Sequence, residues 1–164
     1  EAPIRLDKRG LALCCVEAYQ NQGKYEKALK ILEEIWNDNP SDKIVCLSLI
    51  DLVAVADEAT AQILKEIVEI TKDVENDTPI DTNILYLRSY ALYRLDLVTA
   101  AVKELSKLIR KKKDRPEELI LDIRYLRGQM YEELGEKAKA KKDYEFIFAQ
   151  EPEYQDIQEK LGLF

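Results

Sequence analysis

The sequence predicts an all-α fold: about four helical hairpins stacked in one domain and closed by a short terminal helix. Three observations predict it. Apolar residues recur at helical spacing through most of the chain. Only five glycines and five prolines occur in 164 residues, and four of the prolines fall where helices should start or stop. One pattern of offsets occurs twice, once near each end.

The clearest stretch runs from Asp122 to Pro152. Ile123, Leu126, Met130 and Leu134 fall on one helical face, with Tyr131 beside them. Gly128 lies inside that helix, where glycine costs about 1 kcal/mol relative to alanine. Its presence implies close approach by a neighbouring helix. Gly135 suits the left-handed conformation that ends a helix. A second helix follows over about Lys137–Ala149, with Ala138, Ala140, Tyr144, Ile147 and Phe148 on its apolar side. Pro152 then opens the next helix, at a position that needs no amide hydrogen.

The start of the chain repeats this grammar. Glu1 to Leu6 read as a lead-in, and Asp7 as the cap of a helix over Lys8–Asn21, with Leu11, Cys15, Ala18 and Tyr19 toward one side. Gly23 turns the chain. Tyr25, Ala28, Leu29, Leu32, Ile35 and Trp36 line a second helix that ends before Pro40. From Tyr19 to Ala28 to Leu32 to Pro40 the steps are 9, 4 and 8, and those from Tyr131 to Ala140 to Tyr144 to Pro152 are the same. The spacing Gly128, Tyr131, Ala140, Tyr144, Pro152 resembles the tetratricopeptide repeat, a helical hairpin of about 34 residues. Arg124 and Arg127 stand where that pattern has tryptophan and leucine, and Tyr144 replaces its phenylalanine. In the first copy Val16 takes the glycine slot. The resemblance implies a right-handed solenoid, with hairpins at about 8–40, 42–76, 82–113 and 117–150.

The middle hairpins keep the outline and lose the motif. Ser41 or Asp42 caps a helix over Lys43–Ala56 that is apolar nearly all round, which predicts burial. Its partner runs over about Glu58–Glu75, with Ala61, Leu64, Ile67 and Val68 inward. Asn76 to Pro79 is a turn. Asp81 or Thr82 caps Asn83–Leu95, Asp96 turns, and Val98–Lys112 follows with Ala101, Leu105 and Leu108 inward. Residues 153–161 form the closing helix, packing through Tyr154, Ile157 and Leu161, with a polar outer face of the kind stacked repeats need for solubility.

Composition bounds function by exclusion. Charged residues make up 35% of the chain and the net charge is -7, with a pI near 4.9. That weighs against nucleic acid and anionic membrane, which call for a basic footprint. No apolar run reaches the ~20 residues that span a bilayer. Cys14, Cys15 and Cys46 are odd in number and form no CxxC, which suits a reduced, cytoplasmic protein. Beginning at Glu1 and not methionine, the chain reads as an excised domain. With no histidine there is no Ser-His or Cys-His nucleophile pair and none of the commonest zinc ligand. No P-loop, GxGxxG, HExxH or EF-hand pattern occurs. The expectation is a non-catalytic chain without cofactor or metal.

Candidate binding residues follow from the resemblance, in which the first helices of successive hairpins line a concave groove. It points to Leu13, Glu17 and Gln20 in the first hairpin, to Tyr86, Tyr90, Tyr93 and the adjacent Arg94 in the third, and to Tyr125, Gln129 and Glu132 in the fourth. The tyrosines at i, i+4 and i+7 share one face and suit recognition; the ordinary alternative is inter-helix core. Some family members grip the C-terminal carboxylate of chaperones through lysine and asparagine. Leu13 and Glu17 stand in those places, which disfavours that role, and the acidic edge of Glu17, Glu132 and Glu133 suits a basic or polar peptide. Arg110, Lys111, Lys112, Lys113 and Arg115 form the one basic cluster, either an anion-binding loop or cations at a helix C-terminus. Cys14 and Cys15 are expected to be buried as small hydrophobes. Adjacent acid pairs such as Glu33-Glu34, Glu117-Glu118 and Glu132-Glu133 diverge on a helix and read as solvated. The expected function is protein or peptide binding. The alternatives are self-association as a homodimer, through the apolar second hairpin and the Leu163-Phe164 tail, or a regulatory adaptor within a larger protein.

Overall fold

The structure, a computed structural model, describes residues 7–39, 42–55 and 61–163, and all regular structure among them is helical. The fold class is all-α helical repeat, as the periodicity predicts. The chain divides into two compact units at Ile70/Thr71.

The first unit holds α1 (Lys8–Asn21), α2 (Tyr25–Asp38), α3 (Lys43–Val55) and α4 (Ala61–Ile70). Asp7 caps α1 by accepting the Gly10 N–H at 2.7 Å. Gly23 turns the chain with φ 68°. The core of this unit collects Val16, Ala28, Leu32, Val45, Leu49 and Leu52, with Tyr19, Tyr25, Ile35 and Trp36 half-buried around them. Val16, in the slot that faces the paired helix, is therefore the buried residue of α1. Leu11, Cys15 and Ala18, expected on the inner side, are exposed. Cys14 and Cys15 are both exposed, against the expectation of burial, and only Cys46 is buried.

Asp42 caps α3, accepting the Val45 N–H at 3.3 Å, while Pro40 and Ser41 lie outside the described residues. The same carboxylate takes Arg9 of α1 in a bidentate grip, 2.5 Å from Nε and 3.0 Å from Nη2. That hydrogen bond to Arg9 holds the Asp42 carboxyl below the usual range. Helix α3 is one-sided, not buried all round: Val45, Cys46, Leu49 and Leu52 are buried, but Ile44 is 54% exposed. One face of α3 packs on α2 and another meets solvent. The expected bounds of α3 and α4 reach into residues 56–60, outside the described residues. Helix α4 stops at Ile70, short of Glu75, where the Val74 N–H closes a tight turn on the Thr71 carbonyl at 3.2 Å. Leu64 and Ile67 are buried as expected, and Ala61 is exposed.

The second unit holds α5 (Pro79–Arg94), α6 (Val98–Arg110), α7 (Glu117–Glu133), α8 (Lys137–Gln150) and the one-turn α9 (Ile157–Lys160). Helix α5 starts earlier than expected. Its cap is Thr78, not Asp81 or Thr82, and Pro79 occupies the first turn. Thr78 and Asp81 form a reciprocal capping box, each side chain taking the other's backbone N–H. Ala101, Leu105 and Leu108 of α6 are buried as predicted. Leu134 and Ala138, expected on the apolar side, flank the Gly135 turn at the tip of the α7/α8 hairpin and are exposed. The closing segment is less helical than expected. Gln155 takes a left-handed φ of 44°, which no helix can run through, so regular structure begins only at Ile157. Tyr154 and Ile157 still pack inward, beside Leu121, Ala140, Tyr144 and Ile147.

Two side-chain arrangements set the α7/α8 packing. Gly128 lies against the ring of Tyr144: a Cβ there would overlap Cε1 and sit 2.9 Å from Cζ. This is the close approach that the glycine implies. The second arrangement explains the two arginines that replace the apolar pattern. Asp143 of α8 is 1% exposed and accepts from Arg124 Nη1 at 2.9 Å and from Arg127 Nε at 2.8 Å and Nη2 at 2.7 Å. Arg127 also donates to Ser106 Oγ of α6 at 3.1 Å, and the Arg124 guanidinium lies 3.8 Å from the centre of the Phe146 ring. Three helices thus meet at one carboxylate.

Two stability outcomes follow. Gly128→Ala should destabilise the protein by about 1–3 kcal/mol, because the buried Tyr144 ring has nowhere to swing; in an open helix the same change would stabilise by about 1 kcal/mol. Urea unfolding reads the sign directly. Asp143→Ala should lower stability by about 3–5 kcal/mol by stranding two largely buried guanidinium groups. Replacing Arg124, Arg127 and Asp143 together with leucine should recover most of that loss, and a triple variant no better than Asp143→Ala would contradict the account.

Candidate protein-binding face

Helix α5 buries Ile84, Leu85, Ser89 and Leu92 and thereby turns Tyr86, Tyr90 and Tyr93 to a half-buried position along another side. Helix α7 does the same with Tyr125 and Gln129, while Glu132 and Glu133 are exposed at its end. Tyrosine hydroxyls bridge these elements. Tyr93 of α5 donates to Glu133 of α7. Tyr125 donates to Asp156 Oδ1 at 2.6 Å, and Tyr154 donates back from the closing segment to Asp122 of α7. The Tyr90 and Tyr93 ring centres are 6.4 Å apart, and Tyr125 packs edge-on to Tyr154 at 5.7 Å.

The electrostatics follow from these contacts. The hydrogen bond to Glu133 pushes Tyr93 up to about 12, with burial adding to it. Burial pushes Tyr86 up to about 12, helped by the nearby Asp122 charge. Burial and the Asp156 carboxylate raise Tyr125, and burial and Asp122 raise Tyr154. All four phenols therefore stay neutral at physiological pH.

Cations approach the face in two places. The Arg94 guanidinium lies 5.9 Å from the centre of the Tyr90 ring. Lys160 of α9 sits 2.6 Å from Glu132 Oε2, with its ammonium 5.8 Å from the centre of the Tyr144 ring.

The predicted residues divide between the units. Tyr86, Tyr90, Tyr93, Arg94, Tyr125, Gln129 and Glu132 belong to α5 and α7. Leu13, Glu17 and Gln20 belong to α1 of the first unit, where Leu13 packs against the core, Glu17 is exposed and Gln20 is half-buried. The basic run is partly spent inside the fold. Lys111 donates to the Asn76 carbonyl and pairs with Asp77 at 3.3 Å. Arg115 Nε donates to Thr82 Oγ1 at 2.6 Å, and Lys112 lies 5.3 Å from the centre of the Phe146 ring. Arg110 and Lys113 are exposed. Lys111 also lines a cleft of about 490 Å³ with Lys72, Arg88 and Lys107, faced by Asp77 and Glu104. Among the described residues no group of histidine, cysteine, aspartate and glutamate side chains could hold a metal ion.

Sequence reasoning places Glu133 on the acidic edge but passes over Asp122, Tyr154, Asp156 and Lys160 as members of this face. A signal was there: Asp122 and Asp156 are 34 residues apart, one repeat length, and so hold equivalent places.

Comparison with known proteins bears on the whole arrangement. Residues 17–42 match the family model described as tetratricopeptide repeat. That match covers the second half of α1, the Gly23 turn and α2. A crystal structure of MamA superposes with a TM-score of 0.69 at 19% identity, covering 90% of this chain and 81% of that one. A second MamA crystal structure gives 0.72 at 18% identity, covering 93% and 78%. The APC/C hetero-tetramer Cut9-Hcn1 gives 0.69 at 18% identity, covering 93% of this chain but only 29% of that one. At these identities the likeness is one of fold. No curated protein matches the sequence at a significant level. No helix among the described residues is long and apolar enough to cross a membrane.

The tyrosine network predicts an alkaline transition. Tyr86 and Tyr93 titrate above their unfolded value of about 10, so the fold favours the protonated phenol. Their stabilisation is complete below pH ~10 and is lost as pH rises toward ~12. The stability gap between the parent protein and Tyr93→Phe should therefore narrow over that window, read by urea titrations at fixed pH. A gap that widens would reverse the assignment.

Proposed function

We propose that this chain is a non-catalytic interaction scaffold that holds a segment of a partner protein along the α5–α7 face of its second unit. The observation that carries the reading is the row of half-buried tyrosines, Tyr86, Tyr90 and Tyr93 beside Tyr125 and Gln129. Tyrosine offers a large rigid contact area with only two side-chain torsions to freeze, which makes it an effective recognition residue. The helices beneath supply rigidity: α7 is locked to α8 through Asp143, to α6 through Arg127 and Ser106, and to α5 through Tyr93 and Glu133. The match of residues 17–42 to the tetratricopeptide-repeat model supports a scaffold role of this kind. The hypothesis extends in weaker form to Leu13, Glu17 and Gln20 as contacts on the first unit, and the exposed Arg110 and Lys113 are the remaining candidates for an anionic partner.

Affinity capture from a lysate of the source cells, run in parallel with the Tyr86→Ala/Tyr90→Ala/Tyr93→Ala variant, tests the reading. A partner retained by the parent should be lost by the variant at unchanged helicity. Tyr90→Glu should weaken that partner's binding about tenfold or more, as expected for a central aromatic contact. Equal capture by a folded variant would remove the face from consideration.

A further inference from the structure

We propose that the outer side of α1 is a self-association surface. Two copies of the chain pair through Leu11, Cys14, Cys15 and Ala18, with their α1 helices antiparallel about a two-fold axis between Cys14 and Cys15. This surface lies in the first unit, apart from the α5–α7 face. It also differs from the second-hairpin surface expected for a homodimer, where Val45, Leu49 and Leu52 are buried.

Leu11, Cys14, Cys15 and Ala18 stand at i, i+3, i+4 and i+7 and so share one side of α1. All four are exposed, Leu11 by 52%, and none carries a charge. The repeat shows what these positions do elsewhere. At 34 residues on, one repeat length, Leu11, Cys15 and Ala18 become Val45, Leu49 and Leu52 of α3. Those three are buried in one cluster with Ala28 and Leu32 of α2. The step from Tyr19 to Tyr131 also takes Leu11, Cys14 and Ala18 to Ile123, Leu126 and Met130 of α7. These too are buried, in the helix on which α6 packs. An apolar stripe in this register is therefore covered by a helix in α3 and in α7, and is bare in α1.

The occupant follows from what a second copy can offer. A head-to-tail neighbour would need a bare second helix, of the kind α2 presents to α3. Helix α2 already carries α3, and α6 already carries α7. Leu64 and Ile67 of α4 are buried, and Tyr144 and Ile147 of α8 are sealed by Tyr154 and Ile157 of the closing segment. What a second copy does bring is an identical α1.

The stripe is also complementary to itself. A two-fold interface uses the same patch on both subunits. In an antiparallel pair Leu11 meets Ala18 of the second copy, and Cys14 meets its Cys15, at both ends alike. Each large side chain thus faces a small one, and the central thiols act as small hydrophobes that let the helices approach closely. Four side chains cover less than the roughly 800 Å² per partner of a stable interface, so the pair is weak, with a Kd of about 100 μM.

Sedimentation equilibrium of the full chain tests this, with reductant present so that no disulfide contributes. The average mass should rise with concentration from 19.0 kDa toward twice that value. Leu11→Glu or Ala18→Arg alone should weaken association by about tenfold or more, because each buries an unpaired charge in the contact. The Leu11→Glu/Ala18→Arg double variant should return to within about threefold of the parent, because the two-fold axis sets each new carboxylate against a new guanidinium. Both positions are exposed, and circular dichroism checks that each variant is folded. Ile44→Glu, on the second hairpin, and Tyr90→Glu, on the α5–α7 face, should leave association unchanged. A parent that stays monomeric to about 1 mM, tenfold above the expected Kd, would overturn the inference. So would association that survives Leu11→Glu, a folded double variant that stays apart, or loss of association in Ile44→Glu. The α5–α7 face is tested separately by partner capture with Tyr90→Glu, so failure of the α1 contact leaves that face standing.

Discussion

The Asp143 carboxylate is the point on which the second unit depends. It is sealed from water and held by three hydrogen bonds from two arginines one helical turn apart. Arg127 extends the grip to α6 through Ser106. An apolar contact at the same place would tolerate sliding, whereas a bidentate guanidinium–carboxylate pair fixes register. The neighbouring Gly128–Tyr144 contact then sets how closely α7 and α8 approach. Register and separation are thus specified by different side chains on the same pair of helices.

Fixing α7 in this way decides which of its residues remain for recognition. Arg124 and Arg127 face Asp143, so Tyr125, Gln129 and Glu132 are carried to another side of the helix. There the helix meets α5 and the closing segment through tyrosine hydroxyls rather than through a continuous apolar seam. Such a junction is firm but polar. It leaves half-buried rings available for contact, and it keeps carboxylates aligned without neutralising them.

Much of this was legible in the sequence where a residue type has few uses. A glycine inside an amphipathic helix implied the approach that Tyr144 makes, and the matching offsets at the two ends implied equivalent hairpins. What escaped had more than one physical solution. Arg124 and Arg127 look like solvated cations until Asp143 is seen beneath them, because the pairing spans 19 and 16 residues in sequence and two helices in space. Val16 was passed over in favour of Leu11, Cys15 and Ala18 because a helix as mixed as α1 offers two plausible faces, and only the packing against Ala28 and Leu32 chooses between them. The cap of α5 lies three or four residues before the expected Asp81 or Thr82, since Thr78, Asp81 and Thr82 are all competent caps; Pro79, which suits the first helical position, is the cue that favours Thr78.

The tyrosine stripe of α5 is neither fully core nor fully exposed. Each ring is half-buried, and three of the hydroxyls on the face are already committed to carboxylates. Committed hydroxyls are poor donors to a ligand, so what the proposed face offers a partner is ring surface and the oxygens those hydroxyls orient. The phenols stay neutral well above physiological pH, so the charge of the face is set by its carboxylates together with Arg94 and Lys160. Attraction carried by exposed carboxylates is screened over about 8 Å at physiological ionic strength. The long-range part of recognition should therefore weaken with salt, while contact with the rings persists.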